Sequence, residues 1–99
     1  MRQFDVCQLR HPADQLVVIL QHDLIDELGT RVVAPLSTTP YRAPIDALRI
    51  PVELDLGSYV VQLDRMAAVE HRMIGQVVGS LAAEENRIKR GLDLLFFGV

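Results

Sequence analysis

Four short runs of Val, Ile and Leu, each broken off by Gly, Pro, Asp or Thr, occupy most of the first two thirds of this chain and restrict its fold more than any other feature. QLVVILQH (15–22), TRVVAPLS (30–37), IPVELDL (50–56) and SYVVQLD (58–64) predict strands, and FDVCQL near the start predicts another. In IPVELDLGSYVVQLD the pair Leu56 and Gly57 separates two runs, which predicts a hairpin with Gly supplying positive φ and antiparallel pairing around it. Between TRVVAPLS and IPVELDL lies STTPYRAPIDALR (37–49). It holds Pro40 and Pro44 without a clean period, so it predicts a long loop or irregular arm.

The rhythm changes after Gly79. In SLAAEENRIKRGLDLLFF, Ser80 is placed to cap a helix, Glu84 and Glu85 fall in its early turns, and Arg87, Lys89 and Arg90 follow, the order a helix dipole favours. At about 100° per residue, Leu81, Ile88, Leu92 and Leu95 form one narrow apolar stripe, the predicted core face. Phe97 lies across the wheel, in line with Asn86, Arg90 and Asp93. A helix reaching that far aims one ring at solvent along a polar face.

The 99 residues predict a single domain, 1–99, with a modest core, and an apolar content of 49% is enough to build one. Cys7 is the one cysteine, so no intrachain disulfide is possible, which fits a reducing compartment. The opening MRQFDVCQLR is charged, and no apolar run approaches the roughly 20 residues of a bilayer span, so a soluble cytoplasmic protein with no membrane partner is expected. Net charge is −3, and the ten Lys and Arg residues are scattered apart from Arg87, Lys89 and Arg90. Direct nucleic-acid binding is disfavoured.

MIGQVVGSLAAEENRIKRGLDLLFFGV, the amino-terminal RQFDV and the segment QHDLIDELGTRVVAPL together resemble the CcdB family of toxins from toxin–antitoxin operons. The likeness spans almost the whole chain and is weakest through residues 7–14 and 38–56. The resemblance implies a mainly β fold: a small SH3-like antiparallel β barrel with a C-terminal α-helix, of the CcdB, Kid and MazF type. It also implies a homodimer that is not an enzyme and needs no cofactor. Such a toxin binds the A subunit of DNA gyrase and traps the gyrase–DNA cleavage complex, blocking replication and transcription. A CcdA-like antitoxin is the partner implied.

Residue by residue, the resemblance implies that Phe97, Gly98 and Val99 enter gyrase and that Asn86, Arg90 and Asp93 continue the contact along the helix. Leu24 and Ile25 match a neighbouring contact patch. The family tail commonly has Trp where this chain has Phe97, and asparagines where it has Arg90 and Asp93. The indole donor is therefore absent and the polar face is charged.

Plainer readings stand beside these. FFGV read by period alone is equally the last turn of an amphipathic helix folding back onto the core, and Phe96, nearer the apolar stripe, is expected to be core. Leu24 and Ile25 are equally ordinary buried residues. Cys7 has no motif that would activate it, and His11, His22 and His71 are dispersed, so neither a nucleophile nor a metal site is expected. GQVVG (75–79) lacks the Lys and Ser or Thr of a phosphate loop. Two rivals to gyrase trapping remain: an endoribonuclease of the same fold, for which Arg31, Asp46, Arg49 and Asp64 are conceivable groups, and a non-toxic copy that only sequesters antitoxin.

Overall fold

The apolar runs are continuous rather than alternating because the central strands are covered on both faces. In the computed structural model, which describes residues 1–23, 29–38 and 46–98, all four side chains of β2 (Leu16–Ile19) are buried. Leu16 and Val18 point into the larger core, with Val6 of β1 (Asp5–Leu9) and Ala34 and Leu36 of β3 (Thr30–Ser37). Val17 and Ile19 point the other way and pack with Cys7, Val33 and Ile74. The period of two is thus present, with apolar residues at both phases.

The remaining strands are β4 (Arg49–Leu54), β5 (Gly57–Gln62), β6 (Ala67–Glu70) and β7 (Ile74–Ser80). Among the described residues they complete one antiparallel sheet in the order β4-β5-β3-β2-β1-β7, with β6 also paired to β3. β3 is the hub. Its first half pairs with β6 from Thr30 to Val33, and its last two residues pair with β5. The sheet rolls: a Cβ placed on Gly79 of β7 would lie 3.4 Å from Leu54 Cδ2 at the end of β4, so its two outer strands approach each other. This is the antiparallel β architecture with a C-terminal helix that the sequence predicts.

The hairpin forms one residue earlier than the sequence suggested. Leu54 pairs with Gly57, which leaves Asp55 and Leu56 as the two-residue loop, and Gly57 takes the positive φ, 134°, as the first residue of β5. Two strands, β6 and β7, were not foreseen. AAVE is short and only half-buried at one position, and IGQVVGS exposes Gln76 and Val77, so neither presents an apolar run. Much of the predicted arm, residues 39–45, lies outside the described residues; Asp46–Leu48 forms a 3₁₀ turn leading into β4.

Helix α1 runs from Glu85 to Phe97 and is entered through a 3₁₀ turn, Ala82–Glu84. Ser80 remains in β7. Its Oγ accepts from Ala82 N at 3.2 Å, so it serves the turn rather than the helix it was expected to cap. Phe4, buried with φ 70°, donates from its N–H to Ile19 O and accepts from Leu81 N–H, both at 2.7 Å, tying the start of the chain to the approach of the helix. Among the described residues no helix is long and apolar enough to cross a membrane.

Candidate functional site

Helix α1 is fixed to the sheet along one narrow line. Ile88 and Gly91 are buried and Leu92 is half-buried, resting against the Asp46–Leu48 turn and the 3₁₀ turn Leu63–Arg65. Gly91 permits this approach: a Cβ there would fall 2.4 Å from Leu63 Cδ1 and 2.7 Å from the Ala47 carbonyl oxygen. Ion pairs brace the first turns, Arg87 to Glu84 at 2.7 Å and Lys89 to Glu85 at 3.1 Å. Being exposed, they add little stability.

The opposite face is polar until its last turn. Asn86, Arg90 and Asp93 are exposed, and Phe97 continues their line at 76% exposure. Gly98 then closes the helix in the left-handed region, φ 73°, donating from its N–H to Leu94 O at 3.0 Å. Val99, which the resemblance places in the same contact, lies outside the described residues.

Two residues expected in the core are not there. Leu95 is 38% exposed and Phe96 62%. The reason is the extent of the sheet beneath: the buried line ends near Leu92, and the helix runs on past it for one more turn. What lies under that turn is an open apolar cleft of about 340 Å³, lined by Leu20, Gln21, His22, Val32, Met66 and Leu92, with Phe96 at its edge. Leu24 and Ile25 lie outside the described residues. Asp23 is held by Gln3, whose N–H donates to its Oδ1 at 2.6 Å.

A second, polar cleft of about 310 Å³ lies at the far end of β2 and β3. Asp14, Gln15, Ser37, Thr38, Tyr59, Gln62 and Arg65 line it. Gln15 forms part of its wall, its Nε2 donating to Leu16 O at 2.8 Å and to Leu36 O at 3.1 Å. A carboxylate, a phenol, two hydroxyls and a guanidinium on one cleft can bind a phosphodiester and move a proton. Sequence reasoning missed this grouping because Asp14 precedes β2 and Arg65 follows β5; strand register alone brings them together.

None of the groups singled out for ribonuclease chemistry lines this cleft among the described residues. Arg31 is buried in β3 with Nη1 donating to Thr30 O at 3.0 Å, Arg49 lies on another cleft, and Asp64 is half-buried in a 3₁₀ turn. The side chain of Asp46 lies outside what is described. Cys7 is fully buried; burial above all, then Asp5, pushes its thiol up against a smaller opposing effect of the amino terminus, which suppresses the thiolate. GQVVG is the interior of β7. Among the described residues no group of three His, Cys, Asp or Glu side chains is placed to hold a metal ion.

The model of the CcdB protein family matches residues 3–98. Among solved structures, the chain is similar to the Mycobacterium tuberculosis toxin MazF-mt6, at 25% identity and a TM-score of 0.74, over 96% of each chain. It is similar in fold to a mycobacterial endoribonuclease solved in complex with its cognate antitoxin (16% identity, TM-score 0.77, 94% of this chain and 91% of that one). The MazE–MazF structure from Deinococcus radiodurans is another such match (16%, TM-score 0.78, 98% and 95%). These neighbours correct the expectation that the chain is not an enzyme. Its architecture is one that proteins described as endoribonucleases carry, and a rolled sheet with a polar cleft between strand ends is compatible with catalysis.

Proposed function

The chain belongs to the CcdB family, a toxin of a toxin–antitoxin system, and on that premise we propose that it binds the A subunit of DNA gyrase through the exposed end of α1 and traps the cleavage complex. The observation that carries this reading is Phe97, a ring 76% exposed at the end of the polar line Asn86, Arg90 and Asp93. Exposing an aromatic ring brings the free protein nothing, whereas a ring seated in a partner's pocket supplies the kind of anchor that dominates interfaces. Gly98 joins the contact in this reading, and the resemblance adds Val99, Leu24 and Ile25, which lie outside the described residues. Trapping requires only that the toxin bind the open gate of gyrase more tightly than the closed one.

A second copy of the chain is the partner for the apolar cleft. Leu95, Phe96 and the walls Leu20, Val32 and Met66 form an uncovered apolar surface beside the tail. Two-fold pairing there covers it and presents two tails to a two-fold target. An antitoxin is the neutralising partner, and one of CcdA type is expected.

A second reading, RNA cleavage, is favoured by the polar cleft and by the fold shared with endoribonucleases. There Arg65 would neutralise a phosphate, and Asp14 and Tyr59 are the groups able to exchange protons. One paired assay decides: gyrase cleavage-complex yield and RNA degradation, each with the parent, Phe97→Ala and Arg65→Ala chains. Gyrase trapping lost with Phe97→Ala and kept with Arg65→Ala supports the first reading. RNA cleavage lost with Arg65→Ala and kept with Phe97→Ala replaces it with the second.

A further inference from the structure

Gln62, the last residue of β5, is 6% exposed and lines the polar cleft. Its backbone pairs with Arg49 in the sheet, but its side-chain amide forms no hydrogen bond among the described residues. The amide is open to the cleft rather than sealed in the core. Gln15 on the same wall is engaged, its Nε2 donating to Leu16 O and Leu36 O. Burying an amide with no protein partner costs the free protein stability, and an apolar side chain would fill the same place without that cost. Gln62 thus offers one donor beside one acceptor to whatever enters.

Its neighbours narrow what that is. Thr38 and Tyr59 line both this cleft and a smaller one of about 190 Å³ that carries Arg49 and Ser58, so the two adjoin across the Tyr59 ring. A flat group can lie on the ring while the chain attached to it continues over the sheet. The polar cleft carries one guanidinium, Arg65, and one carboxylate, Asp14, so charge alone does not draw a phosphate chain there. A more basic cleft of about 270 Å³ lies between β4 and α1, with Arg49, Arg87 and Arg90. Glu84 pairs with Arg87 there, and among the described residues no amide side chain lines it.

We propose that the polar cleft seats one unstacked adenine of a single-stranded nucleic acid, with the Gln62 amide reading its edge and Tyr59 supporting its face. Adenine sets an amino donor beside a ring-nitrogen acceptor on both of its hydrogen-bonding edges, the two-point complement of one amide. Guanine sets two acceptors together on its N7 edge, and a pyrimidine has a single edge with which to match. A peptide amide also complements Gln62, yet it is too small to cover the Tyr59 ring at the same time. Gln62 is then a specificity-determining residue, distinct from Asp14, Tyr59 and Arg65, which the RNA-cleavage reading uses. The proposal deepens that reading and rests on it for RNA as the source of the base. A DNA strand at an opened gyrase gate carries the same base, and the chemistry of the cleft is common to both.

The test is fluorescence anisotropy of the full chain with labelled RNA heptamers UUUXUUU, X being A, C, G or U, and with the DNA form of the adenine heptamer. The adenine RNA is expected to bind at least about fivefold more tightly than the all-uridine one. Gln62→Met, of similar length and volume, is expected to erase that difference with an unchanged or raised thermal transition, whereas Tyr59→Ala weakens all four RNAs alike. Because the base carries the recognition, raising salt from about 50 to about 200 mM is expected to cost no more than about sevenfold, the loss for two phosphates. Equal binding of the four RNAs by the parent chain overturns the proposal without recourse to any variant, as does an adenine preference that survives Gln62→Met. A thermal transition lowered by Gln62→Met overturns it too, by showing that the amide serves the fold. Tighter binding of a Gln-Ser-Gln-Ser-Gln-Ser-Gln peptide than of any RNA replaces the nucleobase with a protein partner. Tighter binding of the DNA heptamer overturns RNA as the source alone. A parent chain that seats adenine but leaves RNA intact defeats the cleavage reading, and the titration still decides the cleft.

Discussion

Replacing Phe97 with Ala separates the two roles that a ring at a helix end can have. The residue is 76% exposed, so folding covers only roughly a quarter of what full burial would. Complete burial of a Phe side chain contributes about 1.5–3 kcal/mol, and a quarter of that is about 0.4–0.7 kcal/mol. Alanine returns much of this through its better helix propensity, about 0.5 kcal/mol. The expected change in stability is therefore within about 0.5 kcal/mol, a shift of no more than about 4 °C in Tm for a domain this small. Loss of an interface anchor is a different scale: about 2 kcal/mol or more, some thirtyfold in the concentration needed to trap gyrase. Circular dichroism melts and cleavage-complex titrations on one preparation give both numbers. A stability loss above about 2 kcal/mol would show that the ring folds back onto the protein. Trapping that matches the parent chain would remove Phe97 from the site.

Other positions give equally definite expectations. Arg90→Glu should leave the melting temperature nearly unchanged, since an exposed helix charge contributes within about 0.5 kcal/mol, yet alter gyrase association in a way that salt erases; identical binding at low and high salt excludes it. Gly91→Ala should destabilise by about 2 kcal/mol, because overpacking against Leu63 and the Ala47 backbone costs up to about 3 kcal/mol and the helix recovers about 1; urea unfolding that matches the parent would show that α1 lies further from the sheet. Cys7 should resist thiol reagents at pH 8 until the chain unfolds. Its folded thiol titrates above its unfolded one, so the stability linked to it is complete below the unfolded value of about 8.5 and is lost as pH rises through the folded value. A Cys7→Ser chain with the same alkaline decline in Tm would assign that decline elsewhere.

How much of this was legible in the sequence depends on whether a residue's fate was set locally. The strands of QLVVILQH and TRVVAPLS, the helix, and the outward line of Asn86, Arg90, Asp93 and Phe97 follow from periods that any window of the chain displays. Leu95 and Phe96 defeated the same logic, because the wheel tells which residues share a face but not how far the sheet under that face extends. Strands β6 and β7 were missed since their stability comes from pairing with β3 and β1 rather than from their own side chains. The two charged or polar clefts were invisible for a related reason. Asp14 meets Arg65, and Arg49 meets Arg87 and Arg90, only after register has been set, and no spacing in the sequence encodes either meeting.

The pairing of β1 with β7 governs when this molecule comes into being. Asp5 finds Ser80 and Leu9 finds Ile74, contacts that span most of the sequence, and β1 has no other outer neighbour among the described residues. Until residues 74–80 have left the ribosome, β1 lacks its β7 partner, and the helix that follows them is still to emerge. Closing so large a loop is slow compared with local structure formation. The sheet between its first and seventh strands is therefore among the last parts of the described fold to be completed.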